Sequence, residues 1–355
     1  MADRSNELVE RVRQAIAGNT PLRIVGNDSK AFMGRRAIGE RVSTAGHAGL
    51  IEYEPTELVI AARSGTTLAE LNEVLQANGQ CLGCEPPHFG NATLGGATIG
   101  GTLACNQSGP ARPWLGSIRD HVLGIRLVNG RGEHLRFGGR VMKNVAGYDV
   151  SRLQAGAMGT LGLITEVTLR VFPRPERRAT AVLEMDAAEA VRIMNEESRE
   201  GGSLSGACWV DGRLYLRYSG LDVAVEDRLR RRGGEALEGD GMFWRNVREQ
   251  RLDFFSGDDP LWRIVGRSAA AHVGDGQWLL DWGGAQRWLR GSREWHELQA
   301  MAESLGGQLS LYRGGHRDGE VLHPRTPAQQ RLHQALKQAF DPQGIFNPGR
   351  LYSWM

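Results

Sequence analysis

The first part of the chain alternates helical and strand-like apolar patterns. Leu8, Val12 and Ile16 lie four positions apart and predict an amphipathic helix that ends at Gly18, before a short apolar strand at 22–25. The apolar run at 57–62 predicts a second strand. Thr67, with a glutamate three positions later, forms a capping box that begins the next helix. A strand followed by a helix at this spacing is typical of a sheet covered by helices.

The middle of the chain indicates antiparallel strands. Apolar segments at 121–128 and 133–137 flank the sequence Asn129-Gly130-Arg131-Gly132, which is a strong hairpin signal. From 163 to 171, Leu163, Thr165, Val167, Leu169 and Val171 alternate with Ile164, Glu166, Thr168 and Arg170, which is the pattern of a half-buried strand. Prolines at 173 and 175 then indicate a domain boundary.

A second domain is predicted beyond this boundary. Strand and helix patterns follow one another in the order β-α-β-β-α from 179 to 232, which is how a ferredoxin-like sandwich begins. Strand patterns at 278–282 and 307–312, with a helical pattern at 294–305 between them, extend this α+β domain.

Composition narrows the class of protein. A length of 355 residues leaves room for two domains, and a hydrophobic fraction of 41% is ordinary for a globular protein. No apolar run is long enough to span a membrane, and the charged N-terminus does not look like a signal peptide, so we expect a cytoplasmic location. Four cysteines do not make a disulfide framework in a chain of this length. The net charge of +2 does not indicate a nucleic-acid partner, although Lys and Arg are in excess between 101 and 180.

One stretch, TLGGATIGGTLACNQSG at 93–109, is unlike an ordinary core element. Its paired glycines would weaken a helix or a strand, so they indicate positive φ or close approach of a ligand to the main chain. The residues between the glycines are small or apolar, which argues against a flexible linker. A glycine-rich turn in the core is the alternative to a ligand site.

A second candidate ligand loop, Gly26–Lys30, follows the first predicted strand. Its composition suits a phosphate, because a tight Gly/Asn/Asp turn offers several N–H groups and the lysine adds a positive charge, although similar turns are often empty. Neither a Rossmann fingerprint nor a Walker A lysine occurs. The pattern therefore indicates an elongated ligand that several loops contact.

The order of these motifs resembles the FAD-binding fold of the vanillyl-alcohol oxidase, or PCMH, type. Besides the two candidate loops, the resemblance rests on segments at 144–149 (NVAGYD), 159–164 (GTLGLI) and 341–349 (DPQGIFNPG). Within that superfamily, three longer segments resemble the smaller FAD-binding subunits of bacterial glycolate oxidases: 109–114 (GPARPW), 143–151 (KNVAGYDVS) and 282–288 (WGGAQRW). The resemblance spans nearly the whole chain.

This resemblance implies an α+β fold with two subdomains that bind FAD and a cap. The FAD-binding domain is expected at 1–175, with subdomains at about 1–45 and 46–175. A ferredoxin-like α+β cap domain is expected at 176–325. The chain is expected to return to the FAD domain at 326–355.

The resemblance also implies FAD as the cofactor, with its pyrophosphate at Gly26–Lys30 and its flavin beside the glycine stretch. Backbone N–H groups at 95–97 and 162–164 are candidates for the pyrimidine edge of the flavin. The residues expected to bind FAD are Gly26, Asn27, Asp28, Ser29, Lys30, Pro87, His88, Thr93, Leu94, Gly95, Gly96, Ala97, Gly100, Gly101, Asn106, Ser108, Gly109, Arg112, Val145, Ala146, Gly147, Tyr148, Asp149, Gly159, Thr160, Gly162 and Ile164. We expect non-covalent binding, because the pyrophosphate loop has no histidine and only His88 and Cys105 are nearby nucleophiles.

The sequence does not identify a catalytic base. Four residues are candidates for a catalytic role, namely Arg112, Tyr148, His316 and His323. Arginine offers a planar fork to a carboxylate, and tyrosine offers a hydroxyl donor. The segment 272–279 begins like the histidine motif of related dehydrogenases but has Leu279 where the second histidine belongs, so no metal site is expected.

By resemblance, the chain is expected to be the FAD-binding subunit of a glycolate oxidase complex, which oxidises glycolate to glyoxylate. Its partners would be a large flavin subunit and an iron–sulfur subunit that removes the electrons, and any membrane association would come through the complex. Two alternatives stay open: a self-sufficient FAD-dependent dehydrogenase of 2-hydroxy acids or alcohols, and a scaffold subunit that has lost FAD.

Overall fold

The computed structural model describes residues 3–90, 95–139 and 148–355. Within these ranges the strands are β1 (Leu22–Val25), β2 (Glu40–Ser43), β3 (Leu50–Glu54), β4 (Val59–Arg63), β5 (Gln80–Cys81), β6 (Val122–Val128), β7 (His134–Gly138), β8 (Leu163–Arg170), β9 (Phe172–Pro173), β10 (Arg177–Glu184), β11 (Leu204–Val210), β12 (Arg213–Gly220), β13 (Glu235–Ala236), β14 (Leu261–Val265), β15 (Gln277–Asp281), β16 (Gln286–Arg290) and β17 (Gln308–Arg313). The α-helices are α1 (Ser5–Ala17), α2 (Leu68–Ala77), α3 (Ile99–Ala104), α4 (Arg112–Leu115), α5 (Ile118–His121), α6 (Val150–Leu153), α7 (Ala187–Arg199), α8 (Asp222–Arg232), α9 (Asp240–Glu249), α10 (Trp295–Ser304) and α11 (Pro327–Phe340).

These elements form two compact units. The first contains the described residues of 1–107, 117–173 and 317–355, and the second contains 108–116 and 174–316. The short segment 108–116 thus groups with the second unit, although it lies inside the range expected for the FAD domain. The reason is local, since the Trp282 indole donates a hydrogen bond to the Gly109 carbonyl over 3.0 Å and Trp114 packs against the core of the second unit.

The first unit is built on a five-stranded antiparallel sheet in the order β3-β4-β8-β6-β7. The predicted hairpin is confirmed, with Val128 paired to His134 across the turn. Asn129 stabilises that turn because its Oδ1 accepts hydrogen bonds from the N–H groups of Arg131 and Glu133, over 2.9 and 3.0 Å.

Helix α2 covers this sheet. The predicted capping box is confirmed, because the Thr67 hydroxyl accepts from the Glu70 N–H while the Glu70 carboxylate accepts from the Thr67 N–H. Three leucines of the helix, at 68, 71 and 75, are fully buried in the core that the sheet forms with α3.

The end of the chain lies beside β1 in the same unit. The Leu22 N–H donates to the Ile345 carbonyl over 2.7 Å, and the Asn347 N–H donates to the Leu22 carbonyl over 2.9 Å. Asn347 also accepts from the Ile24 N–H through its side chain over 2.8 Å. The final segment therefore lies next to the loop that follows β1.

A buried ion pair stabilises this arrangement. Lys337 donates to Asp341 over 2.7 Å and to the carbonyls of Thr160 and Phe346 over 2.8 Å each. Asp341 in turn accepts from the N–H groups of Ile345 and Phe346. Every charge in the pair thus has several partners, which a buried ion pair requires.

The second unit contains an eight-stranded antiparallel sheet in the order β13-β10-β12-β11-β15-β16-β14-β17. Its first half confirms the predicted ferredoxin-like pattern, because β10-α7-β11-β12-α8-β13 follow one another along the chain. Helix α7 packs on this half through Ala190, Val191 and Met194, which are buried with Leu216 and Tyr218 of β12. The remaining four strands continue the sheet.

We expect Lys337→Met to lower the free energy of unfolding by about 3–5 kcal/mol, because it leaves the Asp341 carboxylate buried without its cation. Urea denaturation measures the difference. Gln338→Ala, an exposed position on the same helix, is the matched control and should change stability by less than about 0.5 kcal/mol. Equal effects of the two substitutions would contradict the role given to the pair.

Candidate cofactor site

The main pocket of the first unit lies where β1 ends. It encloses about 770 Å³ of empty space, part of it open to solvent. Its walls come from the loop after β1, from α3, from residues 158–164 and from the end of the chain. Of the residues predicted to bind FAD, the pocket brings together Gly26, Asn27, Asp28, Ser29, Lys30, Gly100, Gly101, Gly159, Gly162 and Ile164.

Lys30 gives the pocket its electrostatic character. Its side chain is buried, with 7% of the residue exposed, and its ammonium group has one hydrogen bond, to the Ser29 hydroxyl over 3.3 Å. Among the described residues no carboxylate pairs with it. Burial lowers the pKa of this ammonium group, and the nearby Cys105 opposes that shift. An uncompensated buried cation is costly, so the site suits an anion.

Gly26 lets the chain approach itself closely here, while Gly101 lies in ordinary contact with Lys30. A Cβ on Gly26 would lie 2.3 Å from the Thr98 hydroxyl, and one on Gly101 would lie 3.7 Å from the Lys30 nitrogen. Thr98 is itself fixed, because its side chain begins α3 by accepting from the Gly101 N–H. The loop Gly26–Lys30 and the start of α3 therefore form one wall.

Arg350 is a pocket residue that sequence reasoning missed. Its guanidinium donates to the carbonyls of Arg35 and Ala31 over 3.0 and 3.1 Å, and burial lowers its pKa. Arg350 follows directly after the motif at 341–349, so its place next to this motif was the sequence feature that could have identified it as a site residue. Asn347, within that motif, and Thr98 and Cys105, within the glycine stretch, also line the pocket without having been assigned to it.

Several predicted residues have other partners. His88 Nε2 lies 2.9 Å from Asn72 Nδ2, and Pro87 is buried beside it in the chain. The Ala97 N–H, a candidate for the flavin edge, donates to the His88 carbonyl over 2.6 Å. The carbonyl of Gly96 accepts from Asn27 over 3.0 Å. Pro87, His88, Gly96 and Ala97 therefore lie behind the pocket lining, to which Asn27 belongs.

Two further predicted residues differ from each other. The Thr160 hydroxyl is fully buried and donates to the Ala157 carbonyl over 2.7 Å, which makes it part of the core. Asn106 has a positive φ of 48°, and its buried Oδ1 has no hydrogen-bond partner within the described residues. Gly95 and Gly96 both have positive φ, as the pairing of glycines predicted.

The other predicted site residues are scattered. Tyr148 is 99% exposed, and Asp149 caps α6 by accepting from the Arg152 N–H. Ser108, Gly109, Arg112 and His316 belong to the second unit. His323, in the first unit, accepts from the Tyr352 hydroxyl through its carbonyl. Thr93, Leu94, Val145, Ala146 and Gly147 lie outside the described residues.

The pocket therefore offers a buried ammonium group, a half-buried guanidinium and a glycine-lined backbone at close approach. This donor set fits the pyrophosphate of a dinucleotide, whose charge would satisfy Lys30. The pocket of the first unit thus indicates that the chain belongs to the class of proteins that bind a dinucleotide cofactor.

Comparison with known proteins identifies the cofactor and the family. The FAD binding domain family matches residues 1–138, and the C-terminal domain of FAD linked oxidases matches residues 257–351. The chain is 45% identical to glycolate oxidase subunit GlcE of Escherichia coli over 99% of its length and 98% of that protein. It is 30% identical to glycolate oxidase subunit GlcD of Bacillus subtilis, over 86% of this chain and 77% of that protein. The chain belongs to the PCMH-type family of FAD-linked oxidases, in the group of GlcE-type glycolate oxidase subunits.

A solved structure of alkyldihydroxyacetonephosphate synthase shares the fold, with a TM-score of 0.65 at 16% identity, over 98% of this chain and 76% of that one. The expected α+β fold, the resemblance to glycolate oxidase FAD-binding subunits and the assignment of FAD are thus confirmed. In the part of the chain that the structure describes, no helix is long and apolar enough to cross a membrane. In the same residues, no group of three His, Cys, Asp or Glu side chains is placed to hold a metal ion.

We expect Lys30→Met to weaken FAD binding about tenfold to a hundredfold, because a hydrogen bond to a charged group contributes about 1.5–3 kcal/mol. The apoprotein should stay folded, since the substitution removes a buried charge. Titration of apoprotein with FAD measures the affinity, and Arg41→Met, at an exposed position, controls for net charge. Unchanged affinity in Lys30→Met would contradict the anion role.

We expect Gly26→Ala to lower FAD content and to cost about 1–3 kcal/mol of stability, because the new methyl group overpacks against Thr98. Flavin absorbance and thermal unfolding measure the two effects. Gly241→Ala is the control, since its Cβ would meet nothing within 4 Å. If both variants retained full flavin, close approach at Gly26 would have no part in binding.

Proposed function

We propose that the chain is the FAD-binding subunit of a glycolate oxidase complex, which converts glycolate to glyoxylate and passes the electrons to an iron–sulfur subunit. Similarity to a glycolate oxidase subunit over the full length of both chains supports this proposal. The observation that carries it is the pocket around Lys30, which fits the diphosphate part of FAD in the region that the FAD binding domain family matches.

Within the complex, FAD supplies the capacity to accept two electrons from the alcohol carbon of a 2-hydroxy acid. The residues of the first unit bind and orient it. Lys30 and Arg350 place positive charge at the pyrophosphate, and the backbone at Gly26 and Gly101 permits close contact. Asn347 ties the end of the chain to β1 and so closes one side of the pocket.

The chemistry of the two nearby nucleophiles supports the proposal of non-covalent attachment. His88 does not line the pocket and has Asn72 as its partner. Cys105 does line it, but burial raises the pKa of its thiol, which keeps the weakly nucleophilic protonated form. Neither side chain is prepared for bond formation with the flavin.

The proposed partners are a large flavin subunit and the iron–sulfur subunit. The four cysteines of this chain are free thiols, two of them buried, and do not gather into a cluster site among the described residues. In the proposed complex the iron–sulfur subunit would take up the electrons.

The purified chain should carry about one non-covalent FAD and should reduce a dye acceptor with glycolate at less than about 1% of the rate of the assembled complex. This follows because the chain is proposed to act only with its partners. Co-expression with the two candidate partners, followed by flavin and iron quantification and a dye-linked assay, provides the measurement. Rapid turnover by the chain alone would favour the self-sufficient dehydrogenase, and absence of flavin would favour the scaffold.

A further inference from the structure

An arginine of the second unit lies among aromatic rings without an acidic partner. The Arg263 guanidinium carbon lies 5.0 Å from the ring centroid of Trp282, 5.6 Å from that of Trp288 and 5.9 Å from that of Tyr312. Its Nε–H donates to the Gln286 side-chain oxygen over 2.7 Å. Among the described residues it has no ion pair, and its two terminal nitrogens make no hydrogen bond.

Arg287 in the same unit shows what a purely structural buried arginine looks like. Its guanidinium donates to three backbone carbonyls, those of Gly284, Ala270 and Ala271, and only 2% of the residue is exposed. Arg263 is more exposed than Arg287, and its outer N–H groups are unused. The difference indicates that Arg263 is kept available for a ligand.

Trp282 is held in place at the centre of this cluster. It has a φ of +55°, a strained conformation for a bulky residue that persists only when its surroundings impose it. Asp281 accepts from its backbone N–H over 2.7 Å, and the Gly109 carbonyl accepts from its indole over 3.0 Å. Such strain is common at binding sites.

A second guanidinium lies on the same ring. The Arg112 guanidinium carbon is 4.4 Å from the Trp282 centroid, so two cations share one indole. Burial and the charge of Arg112 lower the pKa of Arg263 to about 10. Both effects disfavour the charged form, and a bound anion would offset them.

We propose that Arg263 and Arg112, arranged around Trp282, bind a small carboxylate anion in the second unit. A planar guanidinium with two free terminal nitrogens matches the geometry of a carboxylate, and the aromatic rings exclude water from one side of it. The cluster also brings together two segments that carry the family resemblance, 109–114 and 282–288, because Arg112 and Gly109 both contact Trp282. The site depends on the proposed function only for the choice of glycolate as the first probe.

The neighbouring Asp281 makes no direct contact with Arg263. It is buried, and desolvation raises its pKa to about 7. Its oxygens accept from the Trp282 N–H and from the Gln286 amide. Asp281 therefore orients Gln286, which in turn orients Arg263.

Calorimetric titration of the FAD-loaded full chain with glycolate and with oxalate tests the proposal. We expect both anions to bind, the neutral glycolamide not to bind, and Arg263→Gln to weaken binding by at least about tenfold. Arg263→Lys, which keeps the charge but loses the planar fork, should lie between the two. Arg293→Gln, at an exposed position of the same unit, controls for net charge and should match the parent protein.

Three results would overturn the site: no heat with either anion, equal affinity in the parent and in a folded Arg263→Gln variant, or equal binding of glycolamide. Circular dichroism and flavin content show whether Arg263→Gln is folded. If it is not, Arg263→Lys takes its place in the test. An affinity of Arg263→Lys for glycolate and oxalate equal to that of the parent protein would count against the site. Loss of complex formation in the co-expression experiment would instead refute the proposed function and leave this titration unaffected.

Discussion

The cofactor site depends on an ammonium group that is buried and has no acidic partner among the described residues. Lys30 is surrounded by glycine backbone, a hydroxyl and a thiol, and none of these supplies a full negative charge. A protein interior tolerates such a group at a cost, and a phosphate offsets that cost most directly. The close approach of Gly26 to Thr98 brings the loop after β1 and the start of α3 together in the wall of this pocket.

The pocket is completed by the far end of the chain. Arg350 and Asn347 line it, and their segment is held by the Lys337–Asp341 pair and by pairing of 345–347 with Leu22. Asp341 accepts from two backbone N–H groups as well as from the lysine, so the turn at 341–347 has little freedom. One side of the site is thus held by the end of a helix that is remote in sequence from the loop after β1.

Local signals in the sequence were reliable guides to local structure. The Asn129-Gly130 turn, the capping box at Thr67 and the ferredoxin-like order of elements all depend on residues within one or two turns of each other. The place of Arg350 in the pocket depends on contacts with residues more than 300 positions earlier, such as Arg35. The aromatic environment of Arg263 depends on the register of β14 with β16 and β17. Neither kind of contact can be predicted from local patterns in a single sequence. The role of His88 stays a prediction: its proximity in sequence to the glycine stretch predicts a ligand contact, and its ring lies 2.9 Å from the Asn72 side chain of α2.

The grouping of residues 108–116 with the second unit means that the polypeptide passes from one unit to the other four times, at 107, 116, 173 and 316. No single cut separates the units into two continuous chains. After a single crossover between relatives, the Trp282 indole and the Gly109 carbonyl that accepts from it could come from different parents. A chimaera that exchanges either unit as a whole must therefore replace two or three separate segments of the chain.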